Sequence, residues 1–250
     1  MSLLGQMRWK LLLGVFKIKR IFRGWFGTRM LDYSGAKLLV TTQTIREYET
    51  RARSVRKEPK TVAWFEKYSR PGAVVYDIGA NVGAYALIAA SRGAHVVAVE
   101  PTHQNLYSLH ENILLNGLDE RFTVLPLLLG NREGYARFSV RDSSFGASRG
   151  FTSGGEKAGK AYLVMTLDRT LELFSLPSPT AIKIDIDGAE VELLEGASRT
   201  LGGDELRSVL IETEEANTEA VKVRLQKAGF TLMDETRMDR HTVNYIFERV

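Results

Sequence analysis

The sequence contains no cysteine in its 250 residues. Disulfide bonds, zinc sites built on thiolates and cysteine nucleophiles are thereby excluded. The absence fits a reducing compartment, and we expect a cytoplasmic protein. With 44% hydrophobic and 26% charged residues, the composition is typical of a globular chain.

Long hydrophobic runs are also missing from the first 30 residues. The longest uncharged apolar stretch there is LLLGVF, well short of the ~20 residues that cross a bilayer. Apolar side chains still recur at steps of three and four, which predicts an amphipathic helix over residues 1–30. Its apolar stripe comprises Leu4, Met7, Leu11, Val15, Ile18, Phe22 and Trp25.

The same segment is strongly basic, with seven Lys and Arg residues and no acid. Such a helix suits the anionic inner face of a membrane, which would make the protein peripheral there. It is equally typical of a helix that packs on its own domain or on a second copy, and a disordered basic leader is a third alternative. The pattern does not fix an oligomeric state.

The rest of the chain lacks an excess of positive charge. It holds 27 bases against 30 acids, so the basic pI belongs to the N-terminal segment. A mildly acidic body does not favour nucleic acid as a partner. No N/D-P-P-Y/F motif follows the fourth predicted strand, which also disfavours a nucleic-acid methyltransferase.

Strand and helix patterns alternate from residue 71 onward. Short runs rich in Val, Ile and Leu are each followed by a helical pattern, which predicts an α/β fold: a Rossmann-like, mostly parallel sheet with helices on both faces. The two strands at the end of the chain have no helix between them, so the last one should be antiparallel. We expect single elements at RFTVLPLLLG (a strand) and AEVELLEGASRTL (a helix).

These patterns divide the chain into three parts. The amphipathic segment 1–30 is followed by a helical lead-in over 31–70 and an α/β domain over 71–250. An insertion at about 131–180 breaks the rhythm with extra strand and helix patterns around a Gly- and Ser-rich stretch. A loop of that length is usually a lid, a binding loop or disordered.

An acid and two glycines stand where the first domain strand meets its helix. Asp77 precedes the loop Gly79-Ala80-Asn81, and Gly83 opens the helix. Glycine permits a tight turn and close approach of a ligand to the backbone, and a helix N-terminus offers free N–H groups. Ligands of open α/β sheets bind at such strand ends.

A second acid, Glu100, ends the next strand and is followed by Pro101. A carboxylate there can accept hydrogen bonds from both hydroxyls of a ribose. The dinucleotide fingerprint G-x-G-x-x-G is absent, and a carboxylate at Asp77 would repel a pyrophosphate. It suits the amino group of a methionine moiety instead. We therefore expect S-adenosylmethionine (SAM) as the cofactor, and no Y-x-x-x-K pair supports an NAD-dependent oxidoreductase.

Charged residues alternate in the fourth strand and just after it, in Lys183, Asp185 and Asp187. Charges are costly in a central strand unless they are paired or at its end, so the strand should end near Asp185. Either aspartate can act as a general base toward an acceptor hydroxyl. Together they can instead hold Mg²⁺, and the sequence leaves both alternatives open. Helix capping is the structural alternative for Asp187, as is pairing with Lys183 for Asp185.

Three stretches resemble the FkbM family within the class I SAM-dependent methyltransferases. They are DIGANVGAYAL (77–87), VEPTHQNLYSLHENILLNG (99–117) and IKIDIDGAEVELLEGA (182–197). The resemblance implies a seven-stranded sheet with an antiparallel last strand. It also implies O-methylation of a hydroxyl on a sugar, glycolipid or other small molecule. Asp187 stands where the family commonly has Glu, which shortens its reach by one methylene.

The leading hypothesis from the sequence is a SAM-dependent O-methyltransferase with a small-molecule or saccharide substrate. The alternative is a SAM-fold protein that binds cofactor or partner without catalysis and is held at a membrane surface.

Overall fold

A computed structural model describes residues 27–42, 52–140, 151–153, 160–186 and 188–249. The amphipathic stretch up to residue 26, two parts of the insertion and Asp187 lie outside these ranges. In the described ranges no helix is both long enough and apolar enough to cross a bilayer.

Two short strands precede the α/β domain. They are β1 (Thr28–Met30) and β2 (Leu39–Thr41), and they pair in antiparallel fashion. The first helix, α1 (Pro59–Tyr68), begins with a proline at a position where no backbone donor is required. The helical lead-in predicted over 31–70 is therefore corrected: it is a strand ribbon followed by one helix.

The central sheet has seven strands in the order β12-β13-β11-β10-β3-β4-β5. Neighbours are parallel, except that β13 runs antiparallel to both β11 and β12, which confirms the predicted α/β fold and antiparallel last strand. The strands are β3 (Val74–Ile78), β4 (His95–Val99), β5 (Phe122–Leu125), β10 (Ala181–Ile184), β11 (Ser208–Glu214), β12 (Thr231–Arg237) and β13 (Thr242–Glu248).

Helices cover both faces of this sheet. Besides α1 they are α2 (Ala84–Ser91), α3 (His103–Leu115), α4 (Leu167–Leu173), α5 (Glu190–Glu195), α6 (Ser198–Gly202) and α7 (Thr218–Lys227). One apolar cluster lies under α1, α2, α3 and the β1–β2 ribbon, and a second lies under α4 to α7. Alternate residues of each strand point into the two clusters, as expected for a sheet buried on both sides.

The insertion forms a second sheet of four strands in the order β6-β9-β7-β8. These are β6 (Leu128–Leu129), β7 (Gly134–Val140), β8 (Phe151–Ser153) and β9 (Lys160–Met165). β8 falls within the Gly- and Ser-rich stretch for which the sequence predicted a loop. Because β6 follows β5 after two residues, this second sheet starts at the carboxyl edge of the central one.

Candidate cofactor and catalytic site

The site lies where the strand order changes direction. β3 has β4 on one side and β10 on the other, so three carboxyl ends meet there. Ligands bind at this point in open α/β sheets because the connections on the two sides lead away from each other. Asp77 and Glu100 reach this edge on β3 and after β4, and Asp185 follows β10.

The glycine loop is a tight turn held by backbone contacts. Gly79 and Gly83 have φ values of +81° and +84°, and Asn81 also has a positive φ of 53°. The N–H groups of Gly79 and Ala80 both donate to the Val99 carbonyl, at 2.9 and 3.0 Å. The loop is thereby fixed to the end of β4.

The glycines also permit close packing within the protein. A Cβ on Gly79 would stand 1.8 Å from the Asp185 carbonyl oxygen, and one on Gly83 would stand 2.4 Å from Cδ1 of Leu109. The sequence assigned Gly79 to ligand approach. In the structure its missing side chain lets the loop after β3 lie directly against the end of β10, which brings Asp185 to the cofactor loop.

Glu100 organises the loop through its carboxylate. Oε2 accepts from the Asn81 N–H at 2.9 Å, and Oε1 accepts from the Thr102 N–H at 2.7 Å. The residue is 5% exposed, and burial raises its pKa, against which hydrogen bonds from Thr102, Asn81 and Asn105 act. Contact with ribose hydroxyls stays a prediction; the contacts present are with the loop itself. Pro101 is half-buried beside it.

Asp77 lies deeper than expected for a residue in direct contact with a ligand. It is 1% exposed, and Nζ of Lys183 lies 3.4 Å from its Oδ1. The Ala86 N–H in the first turn of α2 also donates to its carboxylate. Burial raises the pKa of Asp77, and the charge of Lys183 opposes that shift. Contact between Asp77 and a methionine amino group stays a prediction.

Asp185 is the accessible carboxylate of this group. Its side chain is 36% exposed, and its Oδ2 accepts from Nζ of Lys183 at 3.1 Å. The pairing expected from the sequence is therefore present, and the carboxylate still reaches solvent at the carboxyl end of β10. Asp187, the other predicted catalytic residue, lies outside the described residues.

Comparison with known proteins identifies the family of this site. A model of the FkbM methyltransferase domain matches residues 77–238, from the aspartate before the glycine loop to the end of β12. The chain belongs to the FkbM methyltransferase family. SAM is the methyl donor that this membership implies.

Two relatives of this FkbM protein illustrate its range. Over 172 residues, 68% of each chain, it is 27% identical to the hexuronic acid methyltransferase AglP of Haloferax volcanii. A crystal structure of an FkbM methyltransferase from Methylobacillus flagellatus superimposes with a TM-score of 0.52 at 14% identity. That superposition covers 81% of this chain and 60% of the other, so it supports the shared fold alone.

The residues of the FkbM site fit SAM by charge. Asp77 and Asp185 share one ammonium, that of Lys183, which leaves one negative charge in excess. A cofactor with a sulfonium and an ammonium complements that excess. Oδ1 of Asp77 is also buried without a hydrogen bond, and such an atom is costly unless a donor reaches it.

A divalent cation has less support in the FkbM site. Within the described ranges no group of three or more His, Asp or Glu side chains lies close enough together to hold a metal ion. The Asp185 oxygen nearest to Lys183 is already in contact with a cation. Metal dependence is therefore a matter for the experiments below.

Several residues around the FkbM site were not predicted from the sequence. Thr102 and Asn105 surround Glu100, and Lys183 received no site role although it stands in a buried strand beside Asp77. Tyr162 on β9 lies within electrostatic reach of Glu100, since burial and then the charge of Glu100 raise its pKa. The signal for Lys183 was present: a charge flanked by isoleucines in "IKID" needs a buried partner.

Glu190 stabilises the turn that follows β10. It is 1% exposed, Oε1 accepts from the Gly188 N–H at 2.6 Å, and Oε2 accepts from Asn217 at 3.1 Å. Burial raises its pKa, while the hydrogen bonds from Gly188 and Asn217 act against the shift. The structure thus gives Glu190 a role in holding the loop, as the structural reading of the sequence expected.

Proposed function

We propose that this FkbM protein transfers a methyl group from SAM to a hydroxyl oxygen of a sugar-containing acceptor. The observation that carries the proposal is the position of Asp185: a partly exposed carboxylate at the carboxyl end of β10, in contact with the glycine loop through its own backbone. AglP, named for a hexuronic acid substrate, supports a saccharide acceptor.

The chain's own residues would divide the work as follows. The glycine loop and Glu100 hold the cofactor, which supplies a methyl group activated by its sulfonium. Asp185 accepts the proton of the acceptor hydroxyl as the new C–O bond forms. Positioned general bases typically contribute about 10²- to 10⁴-fold to a rate.

A hexuronic acid offers two kinds of acceptor oxygen, hydroxyl and carboxylate. A carboxylate is already ionised and needs no base, and the excess negative charge beside Asp185 would repel it. The arrangement therefore favours a methyl ether over a methyl ester. A cofactor-binding protein without catalysis is the alternative, and it predicts no product of either kind.

The test uses SAM labelled with tritium in its methyl group. Acceptors are p-nitrophenyl β-D-glucuronide and, as a neutral match, p-nitrophenyl β-D-glucoside. We expect labelled product that survives mild alkali, which cleaves esters and leaves ethers intact. Alkali-labile label would contradict the hydroxyl assignment, and no label on either sugar would contradict the saccharide acceptor. Loss of activity after EDTA treatment, with recovery on adding Mg²⁺, would replace the general base with a metal.

We further propose that residues 1–30 contact anionic lipid. The segment has seven bases and no acid, and it runs into a ribbon on which Met30 and Leu39 face each other, 54% and 36% exposed. Binding to vesicles of phosphatidylglycerol and phosphatidylcholine should disappear when residues 1–26 are deleted, with SAM affinity unchanged. Full-length protein that ignores these vesicles would sink the idea.

A further inference from the structure

A buried lysine connects the cofactor loop to the proposed base. Lys183 is 4% exposed and stands directly opposite Asp77 in the register between β10 and β3. Its Nζ lies 3.1 Å from Oδ2 of Asp185 and 3.4 Å from Oδ1 of Asp77. One ammonium thus links two carboxylates on two neighbouring strands.

The two carboxylates differ in what else is around them. Asp77 is 1% exposed and is also bonded by the Ala86 N–H, so it cannot move away from the lysine. Asp185 is partly exposed and faces the cleft. Lys183 is therefore anchored from below by Asp77 and presents its remaining N–H groups to Asp185.

The surroundings leave Lys183 no alternative to this arrangement. Its face of the sheet is otherwise lined by apolar residues, among them Val75, Ala181 and Leu210. A lysine in such a place is costly unless it is paired. Burial lowers its pKa, but the charges of Asp185 and Asp77, with a contribution from Glu58, outweigh burial and raise it. The ammonium form is the one that the site holds.

We propose that Lys183 is a positioning residue for methyl transfer: anchored by Asp77, it fixes the orientation and charge of the Asp185 carboxylate at the cleft. The proposal rests on Asp185 acting as the base. It assigns Asp77 a role through Lys183, in addition to any contact with cofactor.

Removal of the lysine alone and removal of the whole buried pair separate this role from a purely structural one. Lys183→Met leaves Asp77 buried and unpaired, which should lower the melting temperature by roughly 6–20 °C. Lys183→Met with Asp77→Asn removes both charges and should recover most of that loss. Turnover should stay about 100-fold below wild type in both variants, because Asp185 lacks its cation in each.

The matched control is Lys67→Met, which removes a lysine from an ion pair with Glu248 at the surface. It should change neither turnover nor SAM affinity. Turnover is measured on p-nitrophenyl β-D-glucuronide, SAM affinity by calorimetry and stability by thermal melting. A double variant that regains both stability and turnover would overturn the proposal, since a merely structural lysine predicts that result.

A second arm works without turnover, so that failure of the proposed reaction can be recognised. In a double-mutant cycle on thermal stability, Lys183→Met should show coupling both to Asp77→Asn and to Asp185→Asn. Coupling to both with no methyl transfer by wild type would reject the proposed function and keep the shared lysine. Coupling to Asp77 alone would reject the shared lysine itself.

Discussion

Gly79 and Gly72 have nearly the same backbone conformation, with φ values of +81° and +83°, but different surroundings. A Cβ on Gly72 would meet nothing within 4 Å, while one on Gly79 would stand 1.8 Å from the Asp185 carbonyl oxygen. The pair separates the cost of a left-handed residue from the cost of a clash between the cofactor loop and β10.

Gly72→Ala should lower the free energy of unfolding by about 1–2 kcal/mol, the usual cost of a left-handed alanine. Gly79→Ala should cost roughly 1–3 kcal/mol more, because two backbones must also move apart. It should also weaken SAM binding, which Gly72→Ala should leave unchanged. Urea unfolding and calorimetry measure both effects; equal losses for the two variants would show that Gly79 does not hold the strands together.

Glu190 predicts a pH dependence at the residue scale. Burial raises its pKa in the folded state above that of the unfolded chain. The folded protein then binds the proton more tightly, so this residue's contribution to stability is largest at low pH. It is lost as the pH rises from the ordinary glutamate pKa through the raised one.

Glu190→Gln should remove that dependence. The stability of wild type relative to Glu190→Gln should therefore increase as the pH is lowered from 7 toward 5. Urea unfolding of both proteins across this range is the measurement, with Glu120→Gln, an exposed glutamate, as the control for general charge effects. A difference that stays flat, or falls with decreasing pH, would contradict the assignment.

At the scale of elements, α3 connects the N-terminal ribbon to the cofactor loop. The buried Asn112 accepts from the Thr41 N–H on β2 at 2.6 Å and donates to the Val82 carbonyl at 2.8 Å. Four residues on, Asn116 bonds the N–H and carbonyl of Leu39 at the surface. Two asparagines one turn apart therefore cap the edge of β2, and one of them also holds the glycine loop.

Asn112→Leu should lower the free energy of unfolding by roughly 2–4 kcal/mol, because it leaves two buried backbone groups without partners. It should also weaken SAM binding, since Val82 belongs to the loop. Asn116→Leu is the matched control: its partners can turn to water, so a loss below about 1 kcal/mol and unchanged SAM affinity are expected. If both variants weaken SAM binding alike, the ribbon and not Val82 carries the effect.

The β1–β2 ribbon also marks where prediction from sequence stopped. Three-residue strands are too short for a periodic pattern, and their pairing depends on Asn112 and Asn116, more than seventy residues away. In the same way RFTVLPLLLG became two strands in two sheets. Pro126 lacks a backbone donor, so the ladder breaks there and the chain crosses to the second sheet.

Helix AEVELLEGASRTL is likewise two helices. Gly196 lies where a Cβ would stand 2.0 Å from the Gly130 carbonyl oxygen, so the chain bends against the end of β6. Asp168 then accepts from the N–H groups of Arg199 and Thr200 and caps α6. These contacts join segments far apart in sequence, and no local pattern announces them.

At the scale of the whole molecule, the parts read correctly were those with strong local signals. The V/I/L-rich strands, the position of Asp77, Gly79, Gly83 and Glu100, and the unpaired final strands were sufficient for the parallel sheet and its antiparallel last strand. The use made of each residue was harder to predict. Gly79 packs against β10, and Asp77 anchors a lysine, because tertiary contacts decide those roles.

The central claim is that the junction of β3 and β10 binds SAM and places Asp185 as the base. Asp185→Asn tests it most directly, because asparagine keeps the size of the side chain and an oxygen for Lys183 but cannot take a proton. Asp204→Asn, at an exposed position, is the control. The account predicts SAM affinity within about threefold of wild type, measured by calorimetry, and turnover on p-nitrophenyl β-D-glucuronide reduced about 100-fold or more. Turnover equal to that of wild type would contradict it.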